Sequence, residues 1–117
     1  MSTPSRDSMT ISVGEALGLL PEEQKERSLL LWEHVSLQVE LYAPRGADLQ
    51  RPHARDEIYV VIRGRGDFLS RDERRPVGPG DFIFVEAEVP HRFENFSDDL
   101  ALWVFFYGPE GGEAQRT

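Results

Sequence analysis

Apolar positions recur along this chain with two different periods. Between Ser12 and Pro21 they fall at Val13, Ala16, Leu17 and Leu20, the i, i+3, i+4, i+7 spacing that lays one apolar stripe along a helix. Ser12 and Glu15 stand at capping-box separation, and Pro21 stops the run. The pattern predicts one short helix of about two turns, near residues 12–20, packed on the outside of the main body.

From Ser28 onward the period shortens to two, the mark of strands. Leu29–Val35 is one such run. Leu37, Val39 and Leu41 alternate with Gln38, Glu40 and Tyr42, and Pro44-Arg45-Gly46 breaks the strand. Residues Glu57–Arg63 are rich in β-branched side chains and end at Gly64-Arg65-Gly66. Asp67–Ser70 can pair back, Arg71–Arg74 reads as a charged, solvated turn, and Gly78-Pro79-Gly80-Asp81 is another turn. Phe82–Val85, His91–Phe96 and Leu100–Tyr107 complete the set. The last of these is apolar on both faces, which predicts a central strand or one covered by a partner. Many short strands with turns at regular intervals, after one helix, read as an all-β sandwich or small barrel.

With 117 residues the chain has the length of one domain. Residues 1–10 are polar and read as a flexible N-terminal tail, 11–108 as the domain, and 109–117 as a flexible C-terminal tail. There are no cysteines, so disulfides and thiolate ligands are excluded and any metal must take nitrogen and oxygen donors. The formal charge is −8, which argues against nucleic acid and anionic membranes as partners. No apolar run approaches the ~20 residues that span a bilayer, and the N-terminus has no apolar signal core. The expected location is the cytoplasm.

Three histidines occur, and two of them stand in a suggestive arrangement. His53 precedes Glu57 by four residues, and His91 opens a later strand. A nitrogen, oxygen, nitrogen set at strand ends suits a borderline divalent cation. Glu57, Tyr59 and Val61 share one strand face, and His91, Phe93 and Asn95 another. If both faces point inward, the polar ends meet near the mouth of a barrel. The spacing of His53 and Glu57 also fits one helix face, but the β-branched run that follows favours a strand. In an extended chain the two lie ~13 Å apart, so Ala54-Arg55-Asp56 must bend if both are to touch one ion. The competing reading is a metal-free polar cluster in which Arg51 neutralises Glu57. His34 reads as a partly exposed strand residue. Tyr59 reads as a pocket wall or ordinary core, Asn95 as a turn anchor, and Trp103, Phe105 and Tyr107 as core.

Residues Gly46 to Gly64 resemble the first motif of the cupin superfamily, carried by Gly46, His53, Glu57 and Gly64. Residues Gly80 to Asn95 resemble the second, carried by Gly80, His91 and Asn95 with the Pro79-Gly80-Asp81 turn. The resemblance implies a small single-domain bacterial cupin, with a double-stranded β-helix fold and a metal site at His53, Glu57 and His91. Zinc, iron, nickel, manganese or copper is the implied cofactor. Two departures stand out. Arg51 occupies the place of the leading histidine and has no lone pair to offer. Glu86 and Glu88 replace the second motif's usual proline and glycine. Gln50 carries a carbonyl oxygen able to substitute, one residue out of register.

The family includes dioxygenases, isomerases and cyclases, so the resemblance implies a metal-dependent enzyme acting on a small molecule without choosing the reaction. A non-catalytic ligand-binding module and an accessory protein with a vestigial site are the alternatives. Arg51, Gln50 and Tyr59 are the substrate-binding candidates. Arg51, with its planar fork of donors, is expected to favour an anionic or enolic oxygen ligand. The apolar runs Leu29–Trp32 and Leu102–Tyr107 lead to the expectation of a homodimer.

Overall fold

A computed structural model of the protein describes residues 8–21, 27–48 and 50–113. The helical period gives α1, Val13–Gly18. The Ser12 hydroxyl accepts from the Glu15 N–H at 3.0 Å, and the Glu15 carboxylate accepts from the Ser12 N–H at 3.2 Å. This reciprocal cap satisfies two of the donors a helix start leaves open. Ala16 and Leu20 are buried while Val13 is 37% exposed, so the stripe that docks is narrower than the spacing predicts.

Among the described residues eight strands follow: β1 (Ser28–His34), β2 (Leu37–Tyr42), β3 (Asp56–Arg63), β4 (Gly66–Ser70), β5 (Glu73–Val77), β6 (Phe82–Val85), β7 (His91–Glu94) and β8 (Ala101–Tyr107). One sheet has the order β1-β2-β8-β3-β6, the other β5-β4-β7, and every pairing is antiparallel. The fold is the all-β sandwich that the two-residue period predicts, with a single short helix among the described residues, and residues 56–63 are strand.

The larger sheet carries apolar side chains on both faces. Tyr59, Val61, Leu102, Val104 and Phe106 face inward and pack with Phe93 of β7 and Phe68 of β4. On the outer face Leu31, Leu41 and Ala101 pack beneath Ala16 of α1 and Leu20 just after it. This explains why β8 does not alternate. It is the third of five strands, paired on both edges and covered on both faces, as a central strand is. In β2 the alternation is real, but Leu41 turns outward beneath α1 while Tyr42 joins the inner core.

The smaller sheet holds the one strand the pattern misses. The expected turn at Arg71–Arg74 is confined to Arg71 and Asp72, and Glu73–Val77 pairs with β4 from Ser70↔Glu73 to Gly66↔Val77. Glu73, Arg74, Arg75 and Pro76 are all exposed, so no apolar period marks the strand. Charge and proline are also what protect a sheet edge from pairing with another chain.

Two connections bring the inward faces into register. Gly64 has φ +82°, and a Cβ there would lie 2.6 Å from Leu100 Cα, so only glycine fits between β3 and the approach to β8. In the turn before β6, Gly80 has φ +87°. The Asp81 carboxylate there accepts from the Gly78 N–H at 2.8 Å. Residues 109–113, assigned by composition to the C-terminal tail, lie against the start of β3. The Gly111 N–H donates to the Ala54 carbonyl, and the Glu113 N–H donates to Asp56 at 2.9 Å. Residues 1–7 and 114–117 of the expected tails lie outside the described residues. Among the described residues no helix is long and apolar enough to cross a membrane.

Candidate metal centre

Strand geometry delivers two of the three expected ligands directly. Glu57 and Tyr59 alternate inward along β3, and His91 and Phe93 do so along β7. The chain reaches His53 by a bend at Ala54 and Arg55. Arg55 holds that bend, donating from Nε to the Gly108 carbonyl at 2.9 Å and from Nη1 to Gln38 at 2.9 Å. Its Nη2 donates to the Ser36 carbonyl. On the other side, the Glu88 N–H donates to the His53 carbonyl at 2.7 Å. Glu88 has φ +70°, so the glutamate that departs from the motif's glycine still takes the left-handed conformation a glycine adopts freely. Asp56, buried beside it, accepts from the Ala87 N–H at 2.9 Å and ties the same turn to β3.

These supports bring His53, Glu57 and His91 together, with one potential ligand atom from each lying within 4.8 Å of the others. His53 Nε2 is 3.7 Å from Glu57 Oε2, and His91 Nε2 is 3.1 Å from Glu57 Oε1. The side chains of Glu57 and His91 are each 1% exposed, that of His53 34%. The close approach of His91 to Glu57 lacks hydrogen-bond geometry, so both Glu57 oxygens are buried without a hydrogen-bond partner. A lone buried carboxylate is costly unless something cationic faces it.

The polar ring extends beyond these three. His91 Nδ1 is 2.8 Å from the Val89 carbonyl. Donation to that oxygen leaves Nε2 of the neutral ring as the lone-pair end, aimed at Glu57. The Tyr59 hydroxyl is 3.0 Å from His91 Nε2 and donates to Gln50 Oε1 at 3.0 Å, and Gln50 Oε1 is 3.2 Å from His53 Nε2. Aromatic rings close around the cluster. Phe106 lies 4.7 Å from the His53 ring, and Phe93 stands edge-on to Tyr59 at 5.2 Å.

Titration follows from this setting. Burial is the largest influence on His91 and disfavours its imidazolium, but contact with Glu57, the Val89 carbonyl and the charges of Glu57 and Asp48 together raise its pKa above the ordinary value. Burial first, and Glu57 second, push the Tyr59 hydroxyl well above its usual range. It therefore keeps its proton at neutral pH. On the inward face of β2, Glu40 is raised by burial and then by the charge of Glu57.

A cavity of about 390 Å³ opens beside the cluster, lined by Asp48, Gln50, Leu69, Arg71, His91 and Arg92 among others. Arg51 is exposed and does not line it. The arginines that line this opening are Arg71 and Arg92. Arg92 is paired with Glu94 at 2.5 Å, whereas Arg71 has no ion-pair partner among the described residues. Sequence reasoning missed Arg71, because its place in the mouth depends on the β4–β5 turn reaching over the site. His34 is exposed and stacks on Trp32. Asn95, at φ +50°, donates to Asp67 at 3.3 Å in the turn after β7.

Comparison with known proteins agrees with this fold. The family pattern described as a cupin domain matches residues 38–107. An uncharacterized protein of Streptomyces coelicolor is 41% identical over 63 residues, covering 54% of this chain and 60% of its own length. The chain thus spans about 60% of the length of that curated relative, and about half that of another. Among solved structures, a cupin-2 domain containing protein from Shewanella frigidimarina superposes with a TM-score of 0.68 at 17% identity, over 84% of this chain and 94% of that one. The DMSP lyase DddQ from Ruegeria pomeroyi superposes with a TM-score of 0.64 at 25% identity, over 72% of this chain and 47% of the lyase.

Proposed function

Because this chain belongs to the cupin family, we propose that it holds one divalent metal ion through His53, Glu57 and His91, beside a pocket for a small anionic, oxygen-rich molecule. The observation that carries this reading is Glu57, a buried carboxylate with two unpartnered oxygens facing two imidazole nitrogens. A cation answers all of these groups at once. Two nitrogens and a carboxylate suit zinc, iron, nickel, manganese or copper. A metal held there supplies a Lewis acid that polarises a bound oxygen.

The rest of the chemistry belongs to the chain. Tyr59, protonated and buried, presents a hydroxyl donor at the wall of the site. Arg71 and Arg92 supply positive charge at the mouth, the part first expected of Arg51. Hydrogen bonds to charged groups contribute about 1.5–3 kcal/mol, and exposure reduces this, so Arg71→Ala should weaken binding of small carboxylates about tenfold. The likeness to a DMSP lyase supports a catalytic version of this site over a storage module. Elemental analysis of protein purified without an affinity tag is the decisive test. The reading expects one equivalent of a transition metal, lost in His91→Ala and Glu57→Ala. Full retention of metal in both variants overturns it.

The homodimer reading is also a proposal, on altered grounds. The run Leu102–Tyr107 is largely covered within one chain, and α1 covers part of Leu29–Trp32. The large apolar side chains left open include Phe82 at 65% and Phe84 at 46% exposure, on edge strand β6. A second copy related by a twofold axis would cover both, since such an interface brings one patch against itself. Light scattering should give a dimer mass for the native chain and a monomer mass for Phe82→Glu/Phe84→Glu. A native monomer at micromolar concentration overturns it.

A further inference from the structure

The leading histidine of the first motif is absent, and the structure shows what stands in its space. Arg51 turns outward while its neighbour Gln50 turns in, bringing Oε1 to 3.2 Å from His53 Nε2 and 3.0 Å from the Tyr59 hydroxyl. We propose that Gln50 Oε1 is the fourth protein ligand of the metal centre, a neutral oxygen in place of an imidazole. The inference rests on the metal reading above and specifies it further.

Three observations carry it. The first is the orientation of the amide. Gln50 Nε2 donates to Asp48 Oδ2 at 2.9 Å. A carboxylate only accepts, so the NH₂ end must face Asp48 and the carbonyl end must face the site. Asp48 is itself fixed. Its Oδ2 also accepts from the Phe93 N–H at 2.8 Å, and its Oδ1 accepts from the Gln50 N–H at 3.2 Å and from the Tyr42 hydroxyl. The carboxylate thus holds the Gln50 side chain from β7 and β2 at once.

The second observation is lone-pair placement. One lone pair of Gln50 Oε1 is taken by the Tyr59 hydroxyl, and the other side of the oxygen faces His53 Nε2. A histidine ready to ligate through Nε2 has no proton there. Two acceptors then oppose each other, an arrangement that a cation between them relieves. The third is spacing. Donors each ~2.0–2.2 Å from one ion stand about 3 Å apart at right angles and about 3.5 Å apart in a tetrahedron. The separations found are 3.2 Å for Gln50 Oε1–His53 Nε2 and 3.1 Å for Glu57 Oε1–His91 Nε2, both within this span, and 3.7 Å for His53 Nε2 to the other Glu57 oxygen, Oε2, just beyond it. Asp48, by contrast, acts as a positioning residue through Gln50.

The test uses Co²⁺ as the probe, with affinity from calorimetry and coordination from the visible spectrum. The native chain should bind one equivalent. Gln50→Leu should lose at least tenfold in affinity and shift the cobalt bands. Asp48→Asn frees the amide to turn and should lose affinity by a smaller factor. A purely structural role for Gln50 would leave the cobalt spectrum of Gln50→Leu unmoved, and native affinity and spectrum in that variant overturn the assignment. Should Gln50→Leu fail to fold, Gln50→Asn withdraws the oxygen by one methylene and is expected to give the same spectral change; an unchanged spectrum there overturns the assignment equally. Failure of the native chain to bind cobalt, zinc or iron sinks the metal reading itself and this inference with it, an outcome distinct from unchanged binding in the variants.

Discussion

The two ends of the space between the sheets are built from the same strands yet obey opposite rules. At one end β3 and β7 present Glu57, Tyr59 and His91, and the loop before β3 adds His53 and Gln50. At the other, the same strand face of β3 continues to Val61, packed with Ile83, Leu100 and Leu102. The apolar end holds the fold together by burying area, and any loss of volume there costs stability. The polar end buries a carboxylate that has no hydrogen-bond partner and so is expected to hold stability back until a cation arrives. The contrast separates residues kept for folding from residues kept for chemistry, and it can be broken by mutation from either side.

The largest effect is expected where the two ends meet. Phe93 is 1% exposed and packs against Tyr59 and Phe68. Phe93→Ala should destabilise by about 3–5 kcal/mol, a fall in melting temperature on the order of 10 °C or more. A fall of only a degree or two in differential scanning calorimetry would show that the core does not depend on this ring.

At the polar end the sign should reverse. Glu57→Leu removes the unpartnered carboxylate and should raise the stability of the metal-free protein by about 1–3 kcal/mol while abolishing metal binding. The native chain should be stabilised by metal, by about 2.7 kcal/mol at a hundred times the dissociation constant, and the variant should not respond. Denaturant titrations with and without EDTA read both effects, and a metal-free variant less stable than the metal-free native chain contradicts the contrast.

Gly64→Ala tests the apolar end through the backbone alone. The positive φ and the clash with Leu100 should cost on the order of 1–3 kcal/mol. Because the site lies at the opposite end, metal affinity should stay within about twofold, since distant sites are nearly independent. A large loss of affinity in a folded Gly64→Ala protein would show that the ends are coupled.

The smallest effect concerns Glu40. Burial and the charge of Glu57 raise its carboxyl pKa above the ordinary 4.5. The folded state therefore holds this proton more tightly than the unfolded chain does. That contribution is present in acid and is lost as pH rises from 4.5 through the raised value. In metal-free protein, Glu40→Gln should melt about as the native chain does below pH 4.5 and a few degrees higher at pH 7. A difference that does not change with pH would remove Glu40 from this account.

Much of this was legible in the chain because it depends on neighbours in sequence. The cap of α1 lies within four residues, and the β-branched run of β3 and the two-residue period that puts Glu57 and Tyr59 on one face are local properties. The segment ERRPV failed for the complementary reason. Exposed edge residues have no burial to impose a period, and only pairing with β4 makes that stretch a strand. The same distinction runs through the site. Residue types and spacing determined that His53, Glu57 and His91 form a nitrogen and oxygen ligand set, because those side chains carry their chemistry with them. Only tertiary structure decided that Gln50 rather than Arg51 turns inward, that Arg71 stands at the mouth, and that β2 turns Leu41 outward and Tyr42 inward. Each of those outcomes is fixed by contacts across the fold: Asp48 bound by β7, a turn carried over the site by β4 and β5, and a helix laid on one face of a sheet. Such contacts leave no trace in the local order of residues.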